Sequence, residues 1–237
     1  ADTITPNKPG YFDFPKPEKI VLNNGLTVLY HHRPGLGKID LILDMKANHT
    51  YDTPDKQGLS LFMADILQEG TIQYSSQELA QELELYGMEL NTFPGYIAMT
   101  FLSKDSVRAC NLLFEVLTQP SFDQDDIERT RKHLLTELKL FWDNPTQFSG
   151  QLTRQLVYKD HQNSFNVLGV ESALNIITKE DLIQAHKKYI SPHGARLALV
   201  GDFSGIEIKD LLESTLGKWN GPKILDQQFP ALFPVEH

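Results

Sequence analysis

The chain has 237 residues, enough to bury a full core in one or two domains. Its composition, 41% hydrophobic and 22% charged, argues against a disordered tail or a collagen-like chain. A formal charge of -9 repels phosphate backbones and sets nucleic acid aside as a partner; no apolar run approaches the ~20 residues of a membrane-spanning helix, so no membrane insertion is expected.

The first residues, ADTITPNKPGYFDFPKP, are polar and proline-rich and read as a leader over 1–17. EKIVLNNGLTVLYHHRP then gives two β-rich runs joined by Asn-Asn-Gly, a hairpin signal, and KIDLILDMKA alternates as a third strand. A helix is expected over 58–69. The next one is fully punctuated: Ser75 and Glu78 form a capping box, Tyr74 and Leu79 a hydrophobic staple, and Gly87 the C-terminal cap. MELNTF and YIAMTFLS read as paired strands around Pro94-Gly95.

Helices follow over 104–118, where the single cysteine, Cys110, is expected to be buried, and over 123–142. The second opens on the acidic turn DQDD and stops before Pro145, because the residue preceding proline avoids the helical region. Further helices are expected over 146–158, over TKEDLIQAHKKYI with Thr178 and Asp181 at its start, and over IEIKDLLESTLGKW; ARLALVGDF is a buried-looking strand. The pattern fits an α+β fold, an antiparallel β-sheet with helices packed on one face, as a single domain over 18–220. The tail, 221–237, has linker character.

Five blocks carry a family resemblance: LNNGLTVL; GLSLFMADILQEGT with YSSQELAQELELYGMELNT; FDQDDIERTRKHLLTEL with DNP; LGVESALNIITKEDLIQAHKKYI; and SPHGARLALVGDF. In this order and spacing they resemble the pitrilysin/insulinase family of inverted zinc metallopeptidases, of the mitochondrial processing peptidase type. The resemblance implies a half-unit, a roll of sheet and helices that closes around a peptide with a second half. The tail would then lead toward that missing half. A bacterial periplasm or envelope setting is the compartment this favours, with Ala1 compatible with a processed end.

Peptide-cutting members carry H-x-x-E-H on the helix after the third strand. Residues i, i+3 and i+4 share a helix face, so two imidazoles bind zinc while the glutamate handles the attacking water; a downstream glutamate supplies the third ligand. Aligned on Gly58 and Gly70-Thr71, this chain has Leu61 at the first histidine, Ala64 at the base and Asp65 at the second histidine; only Glu137 matches a ligand position. No catalytic residue and no metal site are therefore expected here, and zinc is expected in a catalytic partner instead.

None of the eight histidines forms an H-x-x-x-H pair; His133 and Glu137, i and i+4 on one helix, make half a metal site or a simple helix-surface contact. There is no G-x-S-x-G, and Cys110 lacks an activating sequence context. The family binds peptide as an added strand beside a Leu-Asn-Ala pattern, which here reads Leu90-Asn91-Thr92. Asn91 and Thr92 are thus substrate-binding candidates, with Thr92 narrowing the space; alternatively Asn91 only fixes the turn before Pro94-Gly95. The family's Arg/Tyr substrate grip lies in the second half of its chains, and nothing marks Arg154, Tyr189 or Arg196 as equivalents.

These features imply a non-catalytic member or half of a zinc metallopeptidase assembly, paired with an H-x-x-E-H subunit or second half-domain around a peptide. The alternatives are a structural assembly subunit without peptide binding, and a metallopeptidase rebuilt around Asp65, His133 and Glu137.

Overall fold

The computed structural model describes residues 15–229; most of the leader, 1–14, and the end of the tail, 230–237, lie outside the described residues. β1 (Glu18–Val21) and β2 (Thr27–His32) form the expected hairpin, followed by β3 (Lys38–Asp44). α1 (Leu59–Ile66) and α2 (Ser76–Leu85) lead into the hairpin of β4 (Glu89–Phe93) and β5 (Tyr96–Leu102). α3 (Ser106–Thr118), α4 (Gln124–Asp143), α5 (Pro145–Tyr158), α6 (Glu171–Ile176) and α7 (Lys179–Tyr189) precede β6 (Arg196–Gly201) and α8 (Ile208–Ser214).

The capping boxes of α2 and α7 are both present, Ser75 with Glu78 and Thr178 with Asp181. α4 ends at Asp143 and α5 begins at Pro145; the Asn144 side chain between them accepts from Thr146 and Gln147 backbone N–H. The six residues of α6 were not anticipated; their helix is stapled in place by tertiary contacts rather than by its own propensity.

The six strands form one mixed sheet in the order β1-β2-β6-β3-β5-β4. Four neighbouring pairs are antiparallel, as expected; β2 and β6 run parallel, from Thr27 opposite Arg196 to His32 opposite Gly201. The parallel pair arises because the chain returns through five helices before inserting β6 between β2 and β3. Gly201 is required where β6 meets β3: a Cβ there would lie 2.3 Å from the Lys38 carbonyl oxygen.

One face of the sheet is apolar, through Ile39, Leu41 and Leu43 of β3, Ile97, Met99 and Phe101 of β5, and Leu197 and Leu199 of β6. It packs with α3 and α8 residues, including Leu113, Val116 and Leu212. On the other face Ile42 is 50% exposed. A second core joins α1, α4, α6 and α7 through Phe62, Ile66, Leu134, Leu138, Leu174 and Leu182. Each such side chain contributes roughly 1.5–3 kcal/mol on burial, and together they fix α1 against α4, which positions the candidate site. The described part of the tail has no regular structure but lies on the domain: Lys46 Nζ donates to the Ile224 carbonyl (2.8 Å), and the Ser191 hydroxyl to the Pro222 carbonyl (2.6 Å).

Candidate functional site

The site is built on α1, whose entry depends on two glycines. Gly58, at φ 95°, is the residue before α1, and Gly169, at φ 80°, lies against it; a Cβ on Gly169 would fall 2.3 Å from the Gln57 carbonyl oxygen. Only glycine tolerates both this backbone conformation and this approach. The buried Asp52 carboxylate accepts from the backbone N–H of Gly58 (2.9 Å) and Ser60 (3.0 Å), satisfying the open donors of the helix start. Burial pushes the Asp52 carboxyl up to about 7, against the lowering effect of these hydrogen bonds.

α4 is pinned alongside by Arg131. Its guanidinium donates to the carbonyls of Leu174 and Ile177, pairs with Glu128, and stacks 5.2 Å from the centroid of the Phe62 ring. One residue thus joins α4 to α6 and α1, giving the α1–α4 cleft fixed walls.

Along α1, Leu61, Ala64 and Asp65 face different surroundings. Leu61 packs against the second core. Ala64 is buried and borders a small, mainly apolar cavity of about 40 Å³ that Asp52, Met63 and Tyr189 also line. Asp65 lines an open cavity of about 480 Å³ together with Gln68, Glu69, Arg129, Thr130, His133 and Glu137. The structure therefore brings Asp65, His133 and Glu137 together in one cavity and leaves Leu61 and Ala64 outside it.

Within the cavity, His133 Nε2 lies 3.3 Å from Glu137 Oε1, and both side chains are exposed. Burial raises the Asp65 carboxyl to about 6, with the neighbouring Glu137 charge adding to the effect and His133 opposing it. Zinc chemistry of the H-x-x-E-H type does not fit these residues. Leu61 and Ala64 bring no donor atom, and among the described residues no group of three or more His, Cys, Asp or Glu side chains is placed to hold a metal ion. A cysteine nucleophile is absent too: Cys110 is buried and its thiol is pushed up to about 12.

β4 is one of the two edge strands of the sheet, with β5 along one side of its backbone and, among the described residues, no strand along the other. Asn91, opposite Ala98 of β5, is exposed, whereas Thr92 points inward and is buried. The Thr92 hydroxyl donates to the Ala64 carbonyl (2.6 Å) and accepts from Gln68 Nε2 (2.6 Å). Gln68 also lines the α1–α4 cavity, so the edge strand and the cavity share a wall. Gln68, Thr130 and Asp52 were not singled out from the sequence. Thr130, His133 and Glu137 do stand at i, i+3 and i+7, a spacing that places them on one helix face; Asp52 acts from outside any helix and has no such signal.

A family model for the insulinase family, peptidase family M16, matches residues 27–169, and one for the peptidase M16 inactive domain matches residues 177–236. The chain belongs to the insulinase family, peptidase family M16.

Among its relatives are the uncharacterized zinc protease YmxG of Bacillus subtilis, 22% identical over 86% of this chain and 50% of the relative. The probable mitochondrial-processing peptidase subunit beta of Schizosaccharomyces pombe is 26% identical over 86% of this chain and 45% of the relative. Among solved structures, the peptidase M16 inactive domain from Pseudomonas fluorescens superposes with a TM-score of 0.83 at 22% identity, covering 91% of this chain and 54% of that one. The first half of the periplasmic protease PqqL from Escherichia coli superposes with a TM-score of 0.81 at 15% identity, covering 91% and 49%. The chain spans about half the length of the relatives it matches. Among the described residues no helix is long and apolar enough to cross a membrane.

Proposed function

We propose that this chain is a non-catalytic member or half of an insulinase-family assembly that helps enclose a peptide beside a zinc-bearing H-x-x-E-H partner. The observation that carries this reading is the contrast within α1. Its frame is intact, from Gly58 against Gly169 to the turn at Gly70, while Leu61 and Ala64 bring no ligand and no base. The free edge of β4 supports a peptide-binding role, since an extended peptide adds to such an edge by backbone hydrogen bonds, with Asn91 exposed along it. The zinc then belongs to the partner, a second half-domain or homologous subunit. The domain of 18–220 is one half of that unit, and the bacterial periplasm or envelope is its compartment. The test is reconstitution: mixing the chain with a homologue that carries H-x-x-E-H should produce peptide hydrolysis that exceeds either component alone.

A second reading, an assembly subunit without peptide binding, is favoured by α5. Its one buried residue is Gln151, whose Nε2 donates to the Ser164 carbonyl (2.7 Å), while Phe148, Leu152 and Leu156 are exposed on the same helix. That polarity is inverted for a surface helix and suits a protein interface. In this reading the same mixture forms a stable complex, and a fluorescent peptide shows no binding to it.

A further inference from the structure

We propose that the tail, over 221–229, is a strap that sets the position of the β4–β5 turn and of the α1 entry, acting through the segment between β3 and α1. When the strap is seated it fixes this segment; when it lifts, the turn and the start of α1 loosen together.

The tail is held at four places along its length. Gly221 packs so closely on Ser191, just after α7, that a Cβ would fall 2.7 Å from the Ser191 Oγ, and the Ser191 hydroxyl donates to the Pro222 carbonyl (2.6 Å). Lys46, just after β3, donates to the Ile224 carbonyl (2.8 Å) and pairs with Asp226 (2.8 Å). The Tyr51 hydroxyl donates to the Leu225 carbonyl (3.3 Å), and Phe229 stacks on His161 with ring centroids 4.9 Å apart. Of the tail side chains over 221–229, only Ile224 is buried. A segment with one buried side chain and no strand ladder sits at the low end of local stability, so it lifts without unfolding the domain.

Two of these anchors, Lys46 and Tyr51, belong to residues 45–52, and that segment touches both the edge hairpin and α1. The Met45 backbone N–H donates to the carbonyl of Gly95 in the β4–β5 turn (2.6 Å). Gly95, at φ 94°, approaches Asn48 so closely that a Cβ would fall 2.6 Å from the Asn48 Cβ. At the far end, Asp52 holds the backbone N–H groups of Gly58 and Ser60 at the start of α1. Met45, Ala47 and Tyr51 also line the small apolar cavity together with Phe93 of β4. The segment has one short turn, His49–Tyr51, and no strand of its own. It therefore takes its place from the contacts on either side, the tail on one and the hairpin and α1 on the other.

Lys46 is the residue through which the strap acts most directly. Its stem lies against Gly194, where a Cβ would meet the Lys46 Cδ at 3.2 Å, and this packing aims the ammonium at the tail. The ammonium spends its donors on the Ile224 carbonyl and the Asp226 carboxylate, and charge-assisted bonds of this kind are the stronger ones. Lys46 is thus a positioning residue for the turn that carries β4. Any consequence for a peptide added along β4 rests on the enclosing reading above.

The experiment is amide hydrogen exchange, followed by NMR, on the 237-residue chain and on Lys46→Met, which keeps the stem and loses the ammonium. The Met45, Gly58 and Ser60 amides should exchange about tenfold faster in the variant, a loss of ~1.4 kcal/mol in local protection, while amides of β2 and β6 keep their native rates. Ile224→Ala, made on the tail itself, should reproduce the pattern, and Lys46→Arg, which keeps the charge and the donors, should restore most of the protection. Native exchange at Met45 and Gly58 in either Lys46→Met or Ile224→Ala would overturn the proposal. So would an equal acceleration that includes β2 and β6, since that is global destabilisation alone. The measurement needs no peptide and no partner, so its failure is distinct from a failure of hydrolysis in the partner mixture.

Discussion

The Thr92 hydroxyl donates to the Ala64 carbonyl across 2.6 Å, tying the edge strand of the sheet to the last turn of α1. The carbonyl is free for this bond because the backbone N–H of Gln68, four residues on, turns to Asp65 instead. Helix ends leave such carbonyls open, and a side chain from another element closes this one. The backbone of α1 at Ala64 is thereby coupled to the strand proposed to guide peptide.

Replacing Thr92 by valine keeps the shape and removes the bond. Leaving the Ala64 carbonyl and the Gln68 amide unpaired costs about 1–3 kcal/mol. For a chain of this size that is a fall in melting temperature of about 2–12 °C. Thr92→Ser should recover most of it, as thermal denaturation followed by circular dichroism will show.

Gly169→Ala should be more damaging than an alanine at an unconstrained glycine. At Gly169 the new methyl meets the Gln57 carbonyl and the backbone keeps a positive φ, whereas Gly205 shares the φ but has nothing within 4 Å of its Cβ position. The Gly205 variant pays only the backbone strain, on the order of 1 kcal/mol, and the Gly169 variant at least about twice that. Urea denaturation of the two variants side by side measures the difference.

Asp52 makes stability depend on pH in an unusual sense for a carboxylate. Its folded value is raised to about 7, above that of the unfolded chain, so the native state holds the proton more firmly. Its contribution is greatest below about pH 4 and is lost as the pH rises toward 7. Denaturation of the native chain and of Asp52→Asn at pH 5 and pH 8 should show the variant gaining, relative to the native chain, at the higher pH. An equal difference at both values would remove Asp52 from this role.

Asp65 titrates at about 6, first because it is buried and second because Glu137 is near. Glu137→Gln removes the second cause, so the Asp65 carboxyl resonance should titrate at lower pH in that variant while remaining above an ordinary aspartate. No movement would mean that the two side chains do not share the cavity.

Much of the fold was legible locally. The Asn-Asn-Gly hairpin, the capping boxes at Ser75 and Thr178 and the stop before Pro145 each follow from neighbouring residues, and each is present. The parallel pairing of β2 with β6 was not, because no local pattern registers Thr27 against Arg196 across the intervening helices. The candidate site divides in the same way. The spacing of Leu61, Ala64 and Asp65 on a helix was readable, but i+3 and i+4 neighbours of a tightly packed helix separate into core, small apolar cavity and large open cavity only when α4 and α7 are laid against it. Strand alternation places Thr92 inward; it does not say that the hydroxyl finds the Ala64 carbonyl.

The most direct test of the non-catalytic reading is zinc content measured together with peptide hydrolysis, for the chain alone and mixed with a homologue that carries H-x-x-E-H. Substoichiometric zinc and no hydrolysis are expected for the chain alone, with hydrolysis above the homologue's own level in the mixture. One zinc per chain, or hydrolysis by the chain alone that a chelator abolishes, would contradict it.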